Sequence, residues 1–142
     1  MIERVQSDPT AYWWYYGSTA AQVTQALQQN NARIVDIQVE SVSPSGPLFT
    51  VAMVSNTGAY AKEWWWWFGQ TAQDVGQKLQ ELNARLISIS PYQVGNDLLF
   101  ATVMVSNTGP DAKEWWWFYG GFDSVSSSLK PLNARVVDLE RQ

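Results

Sequence analysis

The sequence predicts an α+β fold of three pseudo-symmetric repeats of about 51 residues. Each repeat reads as one helix plus a three-stranded antiparallel meander, and the two termini close the three into a ring. Three observations carry this reading. The segment Lys62-Glu63-Trp64-Trp65-Trp66-Trp67-Phe68-Gly69 returns as Lys113-Glu114-Trp115-Trp116-Trp117-Phe118-Tyr119-Gly120, and in altered form as Tyr12-Trp13-Trp14-Tyr15-Tyr16-Gly17. Asn31-Ala32-Arg33 returns as Asn83-Ala84-Arg85 and Asn133-Ala134-Arg135. Val54-Ser55-Asn56-Thr57-Gly58 returns as Val105-Ser106-Asn107-Thr108-Gly109.

The aromatic segments hold all nine tryptophans. Such rings favour strands, because a pleated, half-buried surface suits them. Side chains alternate across a strand, so Trp64, Trp66 and Phe68 point one way, and Trp65 and Trp67 the other. Both faces are apolar. The strand is therefore covered on both sides, or covered on one side with an aromatic groove on the other.

A helix follows each aromatic segment. Thr19-Ala20-Ala21-Gln22 is a capping box, and Val23 and Leu27 then share a face. In the second copy Thr71 is the cap, and Val75, Leu79 and Leu82 form an amphipathic stripe. In the third, Asp123 or Ser124 is the cap before Val125, Leu129 and Leu132, and Pro131 disrupts the helix end. The Asn before each Ala-Arg suits a left-handed helix terminus.

A strand follows each Asn-Ala-Arg. By simple alternation Arg33, Val35, Ile37 and Val39 share one face, and Ile34, Asp36 and Gln38 the other. The clusters 44–47 and 95–97 are turns. They lead into the alternating strands 48–55 and 98–106, and Ser-Asn-Thr-Gly then turns into the next aromatic strand. The whole is one domain, 1–142, with units 18–69, 70–120, and a split unit of 1–17 paired with 121–142. Pairing of residues 2–6 with 136–139 closes the ring and favours a monomer. The alternative is a dimer joined through open sheet edges.

Composition narrows the function. With 46% hydrophobic residues the chain is an ordinary globular domain. It has no cysteine and no histidine, so thiolate metal sites, disulfides and a His-dependent triad are excluded. A net charge of −4 is unfavourable for binding nucleic acid. No run resembles a signal peptide or a membrane helix, which makes the cytoplasm the default location.

The Asn-Ala-Arg strands, the Asn-Thr-Gly turn and the Glu-Trp-Trp-Trp segment resemble the bacterial tandem repeat domain. That repeat also forms the structural region of polyglycine hydrolase-like proteins. The resemblance spans residues 11–142 and implies a repeat module, often multiplied in tandem or set beside a β-lactamase-like serine hydrolase domain. It brings no catalytic residue with it. The first copy departs from the pattern, with Tyr12 for the first Trp and Thr10-Ala11 where Lys-Glu stands elsewhere.

Two constellations invite an enzymatic reading. Ser127-Ser128-Leu129-Lys130 matches the Ser-x-x-Lys pattern of β-lactamase-like hydrolases, but has no Lys-Thr-Gly or Ser-Asp-Asn companion. Glu63 and Glu114 form a formal carboxylate pair, yet each sits beside a lysine at a turn, where a solvated ion pair is the simpler reading. Neither makes the chain an enzyme.

Arg33, Arg85 and Arg135 are three of the five arginines, set among Val and Ile. Each needs a partner: a Trp face, a carboxylate or a carbonyl. Structural use is the simpler reading for them, and for most tryptophans. The functional reading is a ligand groove built from Trp13, Trp65, Trp116, Arg33, Arg85 and Arg135. The expected function is a non-enzymatic binding or scaffolding module for a protein or peptide segment, with a lectin-like carbohydrate binder as the alternative. No cofactor, metal, nucleic-acid or membrane partner is implied.

Overall fold

The computed structural model describes residues 11–109, 112–115 and 117. In chain order they form β1 (Tyr12–Ser18), α1 (Ala20–Asn30), β2 (Ala32–Ser43), β3 (Gly46–Ser55), a single 3-10 turn (Gly58–Tyr60), β4 (Trp64–Gln70), α2 (Ala72–Leu82), β5 (Ala84–Val94) and β6 (Asp97–Ser106). Among the described residues no helix is long and apolar enough to cross a membrane.

Local chemistry sets each helix. Thr19 accepts from the Gln22 backbone N–H while the Gln22 side chain accepts from Thr19 N–H. Thr71 and Asp74 make the same reciprocal box. Both pairs satisfy donors that a helix N-terminus leaves open. At the other end Asn31 and Asn83 are left-handed, with φ of 47° and 49°. Their N–H groups close the last turn of the helix. Val23 and Ala26, and Val75 and Leu79, form the buried stripes.

Two separate antiparallel sheets result, ordered β1-β3-β2 and β4-β6-β5. The aromatic strands β1 and β4 therefore each join the hairpin that follows in sequence. The expected meander, in which each would join the preceding hairpin, is corrected. Split in this way, β1 and β2 run parallel with β3 between them, and the helix is the crossover.

β2 also departs from simple alternation. Its register slips between Ile34 and Asp36, so Val35 is the extra residue of a bulge. Beyond it every side chain changes face. Ile34, Ile37 and Val39 end on the helix side, opposite Met53, Val51 and Phe49. Arg33, Asp36 and Gln38 lie on the back. Arg33 thus does not share a face with Ile37 and Val39, as alternation had suggested. β5 slips at the equivalent place, between Leu86 and Ser88.

The two units stack in one direction. The helix-side face of the first sheet is covered jointly by α1 and by the back of the second sheet. One core joins Val23, Ala26, Ile34, Ile37, Phe49, Val51 and Met53 to Tyr92, Ala101 and Val103, with Trp64 and Trp66 against it. The helix-side face of the second sheet is covered by α2 and by Trp115 and Trp117 of the third aromatic copy, around Phe100 and Met104. Repeats of this size bury their faces against one another rather than alone.

The three-repeat ring is corrected accordingly. The described residues hold two helices and two separate three-stranded sheets, not three complete units, and no ring closure is found among them. The helix expected after Asp123 lies outside the described residues, as do the segments 2–6 and 136–139. Local signals recur in the third copy, but a ring also needs pairing between the chain ends, which no local pattern specifies.

Candidate functional site: the back face of the first sheet

Cross-strand register defines two faces on each sheet. On the helix side of the first sheet, Trp13, Met53 and Ile34 form one row, and Tyr15, Val51 and Ile37 the next. On the back, Tyr12, Val54 and Arg33 form a row, followed by Trp14, Ala52 and Asp36. The second sheet repeats this pattern. Trp65, Met104 and Leu86 lie on its helix side, while Trp64, Val105 and Arg85, then Trp66, Val103 and Ser88, lie on its back.

The two back faces differ in what covers them. Trp64 and Trp66 are half-buried against the first unit's core. Trp66 meets Phe49 edge-to-face at 5.7 Å between centroids, and Phe68 meets the same ring at 5.4 Å. Tyr12, Trp14 and Tyr16 are the equivalent residues of the first unit. They are 65%, 61% and 72% exposed. The Trp14 and Tyr16 rings lean together at 5.6 Å. Three adjacent exposed aromatics on one strand form an apolar patch of the kind that marks an interaction site.

The four described residues of the sequence-predicted site, Trp13, Trp65, Arg33 and Arg85, do not converge on this patch. Trp13 is half-buried on the helix side of the first sheet, and Trp65 on the helix side of the second, each against its own unit's core. Arg33 is buried, and Arg85 half-buried, on the opposite faces. Lys78 stands over an indole, 4.8 Å from the Trp67 ring centre. Trp116 and Arg135 lie outside the described residues.

The bulges explain the arginines, since each sits just before the slip and so shares its strand's back face with Asp36 or Ser88. The missed residues did leave a trace in the sequence. Positions 12, 14 and 16 read Tyr, Trp, Tyr where 64, 66 and 68 read Trp, Trp, Phe. Hydroxyl-bearing rings at alternate positions suit a face that meets water.

The unit interface is polar at its edge. β2 is an edge strand, and its outward N–H groups would be left open. Ile37 N–H donates to Ser88 Oγ at 3.1 Å, and Val39 N–H to Ser90 Oγ at 3.0 Å. Ser88 O–H in turn donates to Asp36 Oδ1 at 3.0 Å. Asp36 and Gln38 stand at the Ser88 and Ser90 positions of the first unit, and both are exposed. Tyr92 reinforces the second unit, its hydroxyl accepting from Gly69 N–H at 2.8 Å. Burial raises the Tyr92 pKa above 10.0, against the smaller lowering effect of that hydrogen bond.

Glu63 and Glu114 are exposed residues of different repeats. Among the described residues no three acidic side chains cluster to hold a metal. Ser127 and Lys130 lie outside the described residues. The chain matches no protein-family model, no curated protein and no solved structure.

Proposed function

We propose that the protein is a non-enzymatic binding or scaffolding module, a stacked repeat of the bacterial tandem repeat type. It recognises a protein or peptide segment through the back face of its first sheet. One observation carries the reading: Tyr12, Trp14 and Tyr16 present an open aromatic strip on a face that the next repeat keeps covered. Aromatic anchors of this kind supply most of the energy of protein interfaces. Among the described residues strand β1 is also a sheet edge, and an edge offers backbone groups to an extended segment.

Tryptophan emission tests this. Trp14 is the exposed indole of the first unit, so Trp14→Phe removes a quencher-accessible fraction of the fluorescence seen in the wild type. Titration with protein-derived peptides shifts the wild-type signal and leaves Trp14→Phe unchanged. A response to simple glycans alone would favour the lectin reading instead. Turnover of ester, glycoside or peptide substrates would overturn the non-enzymatic one.

A further inference from the structure

The open back face of the first sheet is a furrow with two unlike walls. Its floor is the central strand β3, where Ala52 pairs with Trp14 on one side and with Asp36 on the other. Neighbouring strands are spaced so that the Trp14 and Asp36 backbones stand about 10 Å apart, with the Ala52 methyl group between them. Tyr12, Trp14 and Tyr16 form one wall, and Asp36 and Gln38 the other. Ala52 and Thr50 on the floor are half-buried. Val103 and Ala101, their equivalents in the second sheet, are fully buried against the first unit's core. Charge on the open face has one sign. Residues 11–60 contain three charged side chains, Arg33, Asp36 and Glu40. Arg33 is buried, whereas Asp36 and Glu40 are exposed on β2. Asp36 accepts from the Ser88 hydroxyl through Oδ1, and its Oδ2 has no donor among the described residues.

We infer that the segment taken by this face is basic, with an Arg or Lys side chain lying over Ala52 between the Trp14 ring and the Asp36 carboxylate. This rests on the reading of that face as the binding surface, and it states the chemistry of what is bound. The molecule already holds one cation in this way. Lys78 Nζ lies 4.8 Å from the Trp67 ring centre and 3.4 Å from Glu81 Oε2. The furrow offers the same two groups, an indole and a carboxylate, to a side chain from outside. The ring attracts a cation through its quadrupole, and the carboxylate through a charge-assisted hydrogen bond. Side chains alternate along an extended segment, so a cation at every second residue follows the row Tyr12, Trp14 and Tyr16. A second copy of this chain offering the same face is a poor occupant. It sets Asp36 and Glu40 against their own counterparts, and like charges across an interface suppress association.

Isothermal titration calorimetry tests the inference with three short synthetic peptides, in which threonine alternates with arginine, glutamine or glutamate. The proteins compared are the wild type, Trp14→Leu, Asp36→Asn and Asp97→Asn, and circular dichroism confirms that each is folded. Asparagine at position 36 keeps the oxygen that accepts from Ser88 and removes the charge. Asp97 is exposed at the start of β6 in the second sheet, so Asp97→Asn makes the same change in net charge away from the furrow. The expected result is that the arginine peptide binds the wild type most tightly. Trp14→Leu and Asp36→Asn each weaken it by about tenfold, and Asp97→Asn leaves it unchanged. Arginine-peptide binding that neither furrow variant weakens overturns the inference. So does an equal loss in Asp97→Asn and Asp36→Asn, because the attraction is then general rather than local. A glutamine or glutamate peptide that binds as tightly as the arginine one, and still depends on Trp14, also overturns it while leaving the face as the binding surface. Failure of all three peptides to bind overturns both the inference and the reading beneath it.

Discussion

Phe49 is where the two units meet. It is fully buried and receives Trp66 and Phe68 edge-on from the second sheet. Tyr92 makes the complementary contribution from the other side: it belongs to the first unit's core while its hydroxyl holds the Gly69 backbone. Gly69 has φ of 68°, and a Cβ there would lie 3.9 Å from that hydroxyl. Space alone would admit a side chain, so the left-handed backbone is what calls for glycine. Because burial raises the Tyr92 pKa above 10.0, the folded state holds the phenol proton more tightly than the unfolded chain does. The associated stability is complete below pH 10.0 and is lost as pH rises from there through the folded-state value. Tyr92→Phe should cost about 1 kcal/mol at neutral pH through the lost hydrogen bond. It should also remove its share of the alkaline decline. Urea denaturation of both proteins at neutral and alkaline pH checks this, and parallel pH curves would rule Tyr92 out as a source of that decline.

Among the elements, the helices are the most locally determined. A Thr-x-x-Gln or Thr-x-x-Asp box and a left-handed Asn are complete within one stretch of chain, so the sequence displays them before any folding is known. Thr19→Ala and Thr71→Ala should each destabilise by about 1 kcal/mol. Asn31→Ala should also destabilise, since alanine resists the φ of 47° there. Asn31→Gly should cost less than the alanine change. Thermal melts of the four variants give the order, and an Asn31→Gly variant less stable than Asn31→Ala would contradict the backbone explanation. The strands were legible as strands but not in their partners. A repeat of helix, strand, strand and aromatic strand has the same order in sequence whichever hairpin the aromatic strand joins. Only the pairing of Trp14 with Ala52, and of Trp66 with Val103, settles it. The bulge at Val35 was hidden for a related reason. A slip is a property of two strands, and Val35 between Ile34 and Asp36 looks like ordinary alternation when β2 is read alone. Arg33 and Arg85 consequently lie across the sheet from Ile37 and Ile89 rather than beside them, and Arg135 lies outside the described residues.

At the scale of the whole molecule, the aromatic rows serve two ends that their sequence cannot separate. Trp13 and Trp65 line the helix-side faces of their own sheets, whereas Trp64 and Trp66 join their unit to the one before. Exposure of Tyr12, Trp14 and Tyr16 follows from position in the stack, because no further unit covers them among the described residues. The same stacking makes the first two units depend on one another. Ser88 is 1% exposed, and its hydroxyl is the acceptor for the N–H of Ile37, itself fully buried in the other unit. Ser88→Ala removes that acceptor without changing the apolar fit. It leaves a buried donor unsatisfied, which costs about 1–3 kcal/mol. Ser90→Ala should cost less, because Val39 is only half-buried and water can reach its N–H more readily. Nearest-neighbour coupling of this kind makes stability a property of the interface as much as of each repeat. The wild type should therefore unfold in one step, with far-ultraviolet circular dichroism and tryptophan emission coinciding along a urea titration. Ser88→Ala should move that shared midpoint to lower urea. A midpoint equal to the wild type's would show that the Ser88 hydroxyl contributes nothing to joining the units.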